Sequence, residues 1–136
     1  MKAGTKILTM RAACWLGAIA DALWTLALVS PSLFGLLTGR PGFAPDLPYR
    51  LTMGIGASLM AGWTLLLIWA SGNPVERRGV LLLTACPVIT GLAVVAVVGI
   101  VSGEPSNVWI LGKLVLLFGF MLTGYHFGNQ LAKDSG

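Results

Sequence analysis

Two ionisable residues, Asp21 and Lys113, lie inside long apolar segments of the chain, where a charged side chain is costly. A carboxylate or an ammonium group at bilayer depth faces the interior of a helix bundle, another chain or a water-filled cavity, and it marks proton, ion or substrate sites. Asp21 therefore predicts a carboxylate that binds a proton or a substrate, and Lys113 supplies an ammonium group as its partner.

The depths of these two side chains are compatible with an intramembrane ion pair. At the rise of an α-helix, Lys113 lies about 9 Å from one surface and Asp21 about 13 to 14 Å from the other. In a hydrocarbon core about 30 Å thick, a lysine stem can bridge the remaining gap. The pair is interpreted either as a structural salt bridge or as part of a proton or substrate site. As a third possibility, Lys113 extends its ammonium group to the surface and Asp21 acts alone.

The other polar residues do not indicate catalysis or metal binding. Cys14 and Cys86 form no C-x-x-C motif, and His126 is the only histidine, with no cysteine or carboxylate at a neighbouring helical spacing. The sequence also has no phosphate-binding G-x-x-x-x-G-K-[ST] loop and no H-E-x-x-H motif. We therefore predict no catalytic residue, no metal ligand set and no cofactor, and an enzyme is the less favoured class.

The elements that must position Asp21 and Lys113 are transmembrane helices. The chain is 56% hydrophobic and 10% charged, whereas soluble domains carry about 25% charged residues. A spanning helix needs about 20 mostly apolar residues, and four runs qualify, separated by Pro- and Gly-rich connectors. We predict one all-α domain over residues 1–136, a four-helix transmembrane bundle with spans at residues 12–37, 50–70, 80–101 and 108–127.

The distribution of Lys and Arg predicts the orientation. Six basic residues fall on one side of the predicted membrane and two, Arg40 and Arg50, on the other; the six are Lys2, Lys6, Arg11, Arg77, Arg78 and Lys133. Because positive residues favour the cytoplasmic side, we expect both termini in the cytoplasm of a multi-pass cell-membrane protein, of the bacterial inner-membrane type. The basic residues lie at helix ends rather than on one face, so a nucleic-acid partner is not expected.

Small residues predict where the helices pack. Gly54, Ser58 and Gly62 recur at spacings of four in the second span, and Gly17 lies on a similar small-residue face of the first span with Asp21. Such stripes allow close approach of helix backbones in lipid. We favour packing within the bundle, with homodimerisation or docking on a partner subunit as the alternative.

Prolines predict two irregular points. Pro31 is expected to bend or end the first span. Pro87 is expected to kink the third span and free a carbonyl near Leu83, which the hydroxyl of Thr84 or Thr90 could satisfy. Glu104, in the connector after that span, is a further potential partner of Lys113.

Three functions remain open from the sequence. The first is an accessory, assembly or structural subunit in the membrane, which has the bilayer and either its own copies or a larger complex as partners. The second is a small homo-oligomeric transporter with Asp21 as its coupling carboxylate. The third is a membrane enzyme or a binder of a lipid or quinone, with Trp24 and Trp63 beside Asp21 as cavity-lining residues.

Overall fold

A computed structural model of the chain describes residues 2–103 and 107–134, and in these ranges the regular secondary structure is all helical. Glu104 lies outside the described residues. The helices are α1 (Ala3–Val29), α2 (Pro31–Leu37), α3 (Leu47–Gly72), α4 (Gly79–Val101) and α5 (Asn107–Asp134).

Four of these helices, α1, α3, α4 and α5, are long and apolar enough to cross a membrane. Many of their large apolar side chains point away from the bundle, such as Leu65 (68% exposed) and Leu116 (76% exposed). Outward apolar faces of this extent suit lipid rather than water. The prediction of an all-helical fold with four membrane-spanning candidates is confirmed.

The first span lies nearer the N-terminus than the predicted run over residues 12–37. It begins at Ala3 and ends at Val29, and residues 31–37 form the separate helix α2. Pro31 cannot donate a backbone hydrogen bond and disfavours helical geometry in the residue before it. Ser30 is accordingly extended (φ −114°, ψ 104°), and its hydroxyl oxygen accepts a hydrogen bond from the Leu33 N–H at 3.4 Å.

Neighbouring helices in the bundle are antiparallel. Gly17 of α1 lies beside Leu67 of α3 and Met121 of α5, whereas Leu28, further along α1, lies beside Gly56, earlier in α3. Helix α5 also packs against α4. The bundle therefore has one end with the 73–78 turn, here called the Arg78 end, and an opposite end with α2 and the start of α3, here called the Tyr49 end.

The half of the bundle at the Arg78 end is closely packed, and we call it the packed half. Gly124 allows α5 to approach its neighbours, since a Cβ there would lie 3.1 Å from Leu81 Cδ1 and 3.5 Å from Ala13 Cβ. Most of the core residues are small or unbranched at Cβ. The full core consists of Met10, Ala13, Cys14, Ala18, Leu67, Ala70, Val80, Leu81, Ala85, Ile89 and Met121.

Helix α4 widens into a π-helix over Thr84–Ile89, around Pro87. The Thr90 hydroxyl donates to the Ala85 carbonyl at 3.2 Å, and the Thr84 hydroxyl donates to the Val80 carbonyl at 2.8 Å. The predicted irregularity at Pro87 is thus a π-helical segment, and Thr90 binds the carbonyl of Ala85, five residues earlier. Such segments occur frequently at functional sites.

A candidate ligand cavity around Asp21

The half of the bundle at the Tyr49 end, here the hollow half, contains two adjoining cavities. One, the Asp21 cavity, has a volume of about 270 Å³, and the other, the Tyr49 cavity, about 400 Å³. Five residues line both cavities and form the boundary between them: Trp24, Met60, Leu92, Ile110 and Leu114. Small-molecule sites are typically apolar concavities of a few hundred Å³ with a few polar groups, which describes this region.

Asp21 is the acidic group of the first cavity. The residue is 8% exposed, and its Oδ2 atom accepts no hydrogen bond from any described residue. The nearby Thr25 hydroxyl donates to the Asp21 backbone carbonyl at 2.8 Å, so this donor is not directed at the carboxylate. Burying a carboxylate without a donor is costly, so a proton or a ligand donor would relieve an unfavourable state.

Lys113 lines the same cavity from α5, whereas Asp21 lines it from α1. Its side chain is exposed, in contrast to that of Asp21. The structure therefore brings the two residues singled out in the sequence to one cavity. The ion pair between them stays a prediction, because Asp21 Oδ2 has no hydrogen-bond partner in the described residues.

The π-helical segment of α4 supplies another wall of the Asp21 cavity through Thr84, Val88 and Ile89. The Thr84 hydroxyl is already engaged, since it accepts from Trp63 Nε1 at 3.0 Å and donates to the Val80 carbonyl. The charged groups of the cavity are therefore one carboxylate and one ammonium group, on largely apolar walls that also carry the indole N–H of Trp24.

The two tryptophans expected at the cavity have different positions. Trp24 lines both cavities and makes an edge-to-face contact with Phe34, with ring centroids 6.3 Å apart. Trp63 is not among the lining residues of either cavity and instead joins α3 to α4 through its hydrogen bond to Thr84. The periodicity of the sequence gives no information on which face of α3 meets α4.

An aromatic cluster that the sequence reasoning missed adjoins the Tyr49 cavity. Phe43 lies between Phe34 and Tyr49, with ring centroids 5.1 and 5.5 Å away, and both outer rings line the cavity. The start of α3 is fixed by Asp46, whose Oδ1 accepts from the Tyr49 N–H at 3.0 Å. The sequence does contain a signal for this helix start, since an aspartate followed by Leu-Pro is typical of a helix N-terminus, and aromatic residues lie close to it in the chain.

The small-residue stripe of α3 does not pack within the bundle as expected. A Cβ added at Gly54 or Gly62 would meet nothing within 4 Å, and Ser58 is exposed. The buried face of α3 instead carries Met53 and Ala57. Spacing alone cannot distinguish these two faces, since both contain small residues. Docking of the stripe on another chain stays a prediction.

Gly17 lies where α1 meets α3 and α5. A Cβ there would lie 2.5 Å from Met121 Cε and 3.0 Å from Leu67 Cδ1, so these side chains would have to shift to admit a larger residue. Gly17 also lines the Asp21 cavity, which places this cavity directly against the packed half.

Within residues 2–103 and 107–134, no group of three His, Cys, Asp or Glu side chains could hold a metal ion. His126 lies 2.8 Å from Gln130 through its Nε2 atom. Comparison with protein-family models, curated proteins and solved structures finds no match for the chain. The cavity and its two charged groups are therefore the basis for inferring a function.

Proposed function

We propose that this protein binds a small molecule inside its helix bundle and carries it across the membrane, with Asp21 as the binding carboxylate. The observation that carries the proposal is the Asp21 Oδ2 atom, which is buried without a partner in the wall of a 270 Å³ cavity. Intramembrane carboxylates facing a cavity are characteristic of substrate and proton pathways.

The structure of α4 supports transport rather than static binding. Its π-helical segment borders the cavity, and a local π-helix provides a point where side chains can shift by a rearrangement of backbone hydrogen bonds. The two adjoining cavities provide space for such movement in the hollow half.

The distribution of basic residues supports an orientation with the Arg78 end in the cytoplasm of a cell-membrane protein. Arg77 and Arg78 lie in the turn at this end, while Arg50 lies at the opposite end, in the first turn of α3. With this orientation, a ligand reaches the Asp21 cavity from the outer side, through the half that contains the Tyr49 cavity.

Uptake into proteoliposomes tests the proposal with two ligands that cross lipid slowly: phenyltrimethylammonium, a cation, and phenylalanine, a zwitterion. We expect at least one of them to enter wild-type vesicles faster than protein-free vesicles. Asp21→Asn should reduce this uptake about tenfold or more, because the positive group of either ligand loses the opposite charge of Asp21.

A matched control is Asp46→Asn, which changes an aspartate in the helix-capping position outside the Asp21 cavity. It should leave uptake near the wild-type rate. If neither ligand enters wild-type vesicles faster than protein-free ones, or if Asp21→Asn retains full uptake, the proposed function is wrong.

An accessory or assembly subunit is the second candidate, and the outward stripe of Gly54, Ser58 and Gly62 favours it. A small-residue face without a partner in the chain suits close contact with another transmembrane helix. Native mass spectrometry after extraction in mild detergent tests this function. A stoichiometric larger partner that is lost in Gly62→Leu would support the subunit, whereas a homo-oligomer would agree with the transporter.

A further inference from the structure

We infer that the Asp21 cavity binds a zwitterion, a molecule with an ammonium group and an anionic group close together on an apolar body. The ammonium group would bind Asp21 and the anionic group Lys113. This inference rests on the proposed function, since it assumes that the cavity binds a ligand, and it adds the chemical class of that ligand and a role for Lys113.

The first argument is the arrangement of charge in the cavity. Asp21 projects from α1 and Lys113 from α5, and both line the same 270 Å³ space. The hydroxyl of Thr84 already accepts from Trp63 and donates its only hydrogen to the Val80 carbonyl, so it cannot donate to a ligand. A ligand is therefore recognised chiefly by one negative and one positive group.

The second argument is the hydrogen bonding of Asp21. Its Oδ2 atom is buried and lacks a donor among the described residues. A primary ammonium group has three N–H donors and suits this acceptor. Lys113 is exposed, and its flexible stem can adjust the position of its own ammonium group to an anionic group of the ligand.

The third argument is the cost of net charge in a low-dielectric site. With a zwitterion bound, each of the four charges has a partner of opposite sign. A cationic ligand would instead leave two ammonium groups around one carboxylate, and an anionic ligand would leave two anions around one ammonium group. Unpaired charge is strongly disfavoured away from water, so the site selects against both singly charged ligands.

The apolar body of the ligand has a defined place beside these charges. Trp24, Leu92 and Leu114 line both cavities, so a hydrophobic group can extend from the Asp21 cavity along these side chains toward the Tyr49 cavity. Trp24 provides a flat aromatic surface for this group. The predicted ligand therefore combines a compact zwitterionic head with an apolar or aromatic body.

Binding of three molecules that share a phenyl group tests this assignment: phenylalanine, phenethylammonium and 3-phenylpropionate. Binding is measured near neutral pH in phosphatidylglycerol nanodiscs, whose lipid carries no ammonium group, with empty nanodiscs as the blank. We expect phenylalanine to bind wild-type protein most tightly. Asp21→Asn should weaken the binding of phenylalanine and of phenethylammonium about tenfold or more, without weakening the binding of phenylpropionate.

Lys113→Met gives the complementary result. It should weaken the binding of phenylalanine and of phenylpropionate about tenfold, but it should not weaken the binding of phenethylammonium. Lys133→Met is the matched control, because this lysine lies in the last turn of the same helix, outside the Asp21 cavity. It should leave all three affinities unchanged. Gel filtration and thermal unfolding establish that each variant is folded.

The outcomes separate this inference from the proposed function. If phenethylammonium binds more tightly than phenylalanine and its binding depends on Asp21, the assignment of a zwitterionic ligand is wrong, while the role of Asp21 stands. If none of the three ligands depends on Asp21, the proposed function fails as well. Adding phosphatidylethanolamine to the bilayer distinguishes the source: displacement of phenylalanine supports a lipid headgroup as the zwitterion, and continued binding supports a free solute.

Discussion

The two halves of this bundle are built from the same four helices but are packed differently. In the packed half, Gly17 and Gly124 allow α1, α3, α4 and α5 to approach until side chains interlock, and Leu67 and Met121 are fully buried. In the hollow half, the same helices leave cavities of about 270 and 400 Å³. The difference indicates that one half provides close packing and that the other provides the space of the candidate site.

The residue types of the two halves account for this difference. The packed half brings glycine and alanine to its contacts, which is the usual means of close approach in lipid. The hollow half has Trp24, Met60 and Leu92 at the boundary between its two cavities. These larger side chains line both open spaces.

Asp21 lies at the border between the halves, one turn from Gly17. The helix turn that carries it is fixed by the packed half, while its carboxylate is directed at the cavity. This placement is suited to a binding group, since a rigid backbone holds the charge and an open space admits the ligand. The following predictions test the comparison, beginning with the largest expected effect.

Truncation of a core side chain should cost far more in the packed half than in the hollow half. Leu67→Ala should lower the free energy of unfolding by about 3 kcal/mol, because it leaves a void among interlocked side chains. Leu114→Ala, beside existing cavities, should cost about 1 kcal/mol. Reversible unfolding in mixed micelles measures both values. Equal losses would mean that the two halves are packed alike.

Adding volume should show the same asymmetry. Gly17→Leu should lower the free energy of unfolding by about 2 kcal/mol, because its Cβ would collide with Met121 and Leu67. Gly62→Leu is the matched control on the outward stripe of α3, where an added Cβ meets nothing within 4 Å. It should change the stability of the monomer by less than about 0.5 kcal/mol. A large loss in Gly62→Leu alone would place that stripe in a contact.

The fold could be predicted from the sequence because the thickness of the hydrocarbon core sets how long and how apolar a spanning helix must be. Four apolar runs separated by Pro and Gly gave four long helices, and the proline at position 31 gave a helix boundary. The inward direction of Asp21 also followed, because it shares a face with Gly17 and Ala18, which are buried.

The remaining details depend on tertiary contacts that no local pattern encodes. The α3 stripe of Gly54 and Gly62 has the spacing of a packing face, yet the adjacent face with Ala57 is the buried one. Trp63 donates to Thr84 and does not line a cavity, because α4 lies on that side of α3. Helix order around a bundle decides both outcomes, and it is set by all the helix faces together.

A double-mutant cycle on Asp21 and Lys113 distinguishes a ligand site from a structural ion pair. If the two charges serve a ligand, Asp21→Asn should leave the stability of the ligand-free protein unchanged or raise it by up to about 1 kcal/mol, since a buried charge without a donor is removed. Lys113→Met should be close to neutral. The coupling between the two substitutions should stay below about 0.5 kcal/mol.

The structural interpretation makes the opposite prediction for the same cycle. Each single substitution would then leave one unpaired charge and destabilise the protein, and the double substitution would recover part of the loss. A coupling above about 1 kcal/mol in ligand-free protein would therefore show that the pair forms directly. Such a result would extend the packed half to include Asp21.

The last prediction concerns the hydrogen bond that joins α3 to α4 at the border of the cavity. Trp63→Phe removes the donor to Thr84 and should lower the free energy of unfolding by about 1 kcal/mol. Trp109→Phe is the control, because that side chain is 78% exposed and should cost little. Since Thr84 also lies in the π-helical segment that lines the cavity, Trp63→Phe should weaken ligand binding as well as stability. Loss of stability with unchanged binding would mean that the wall formed by α4 is held by its backbone alone.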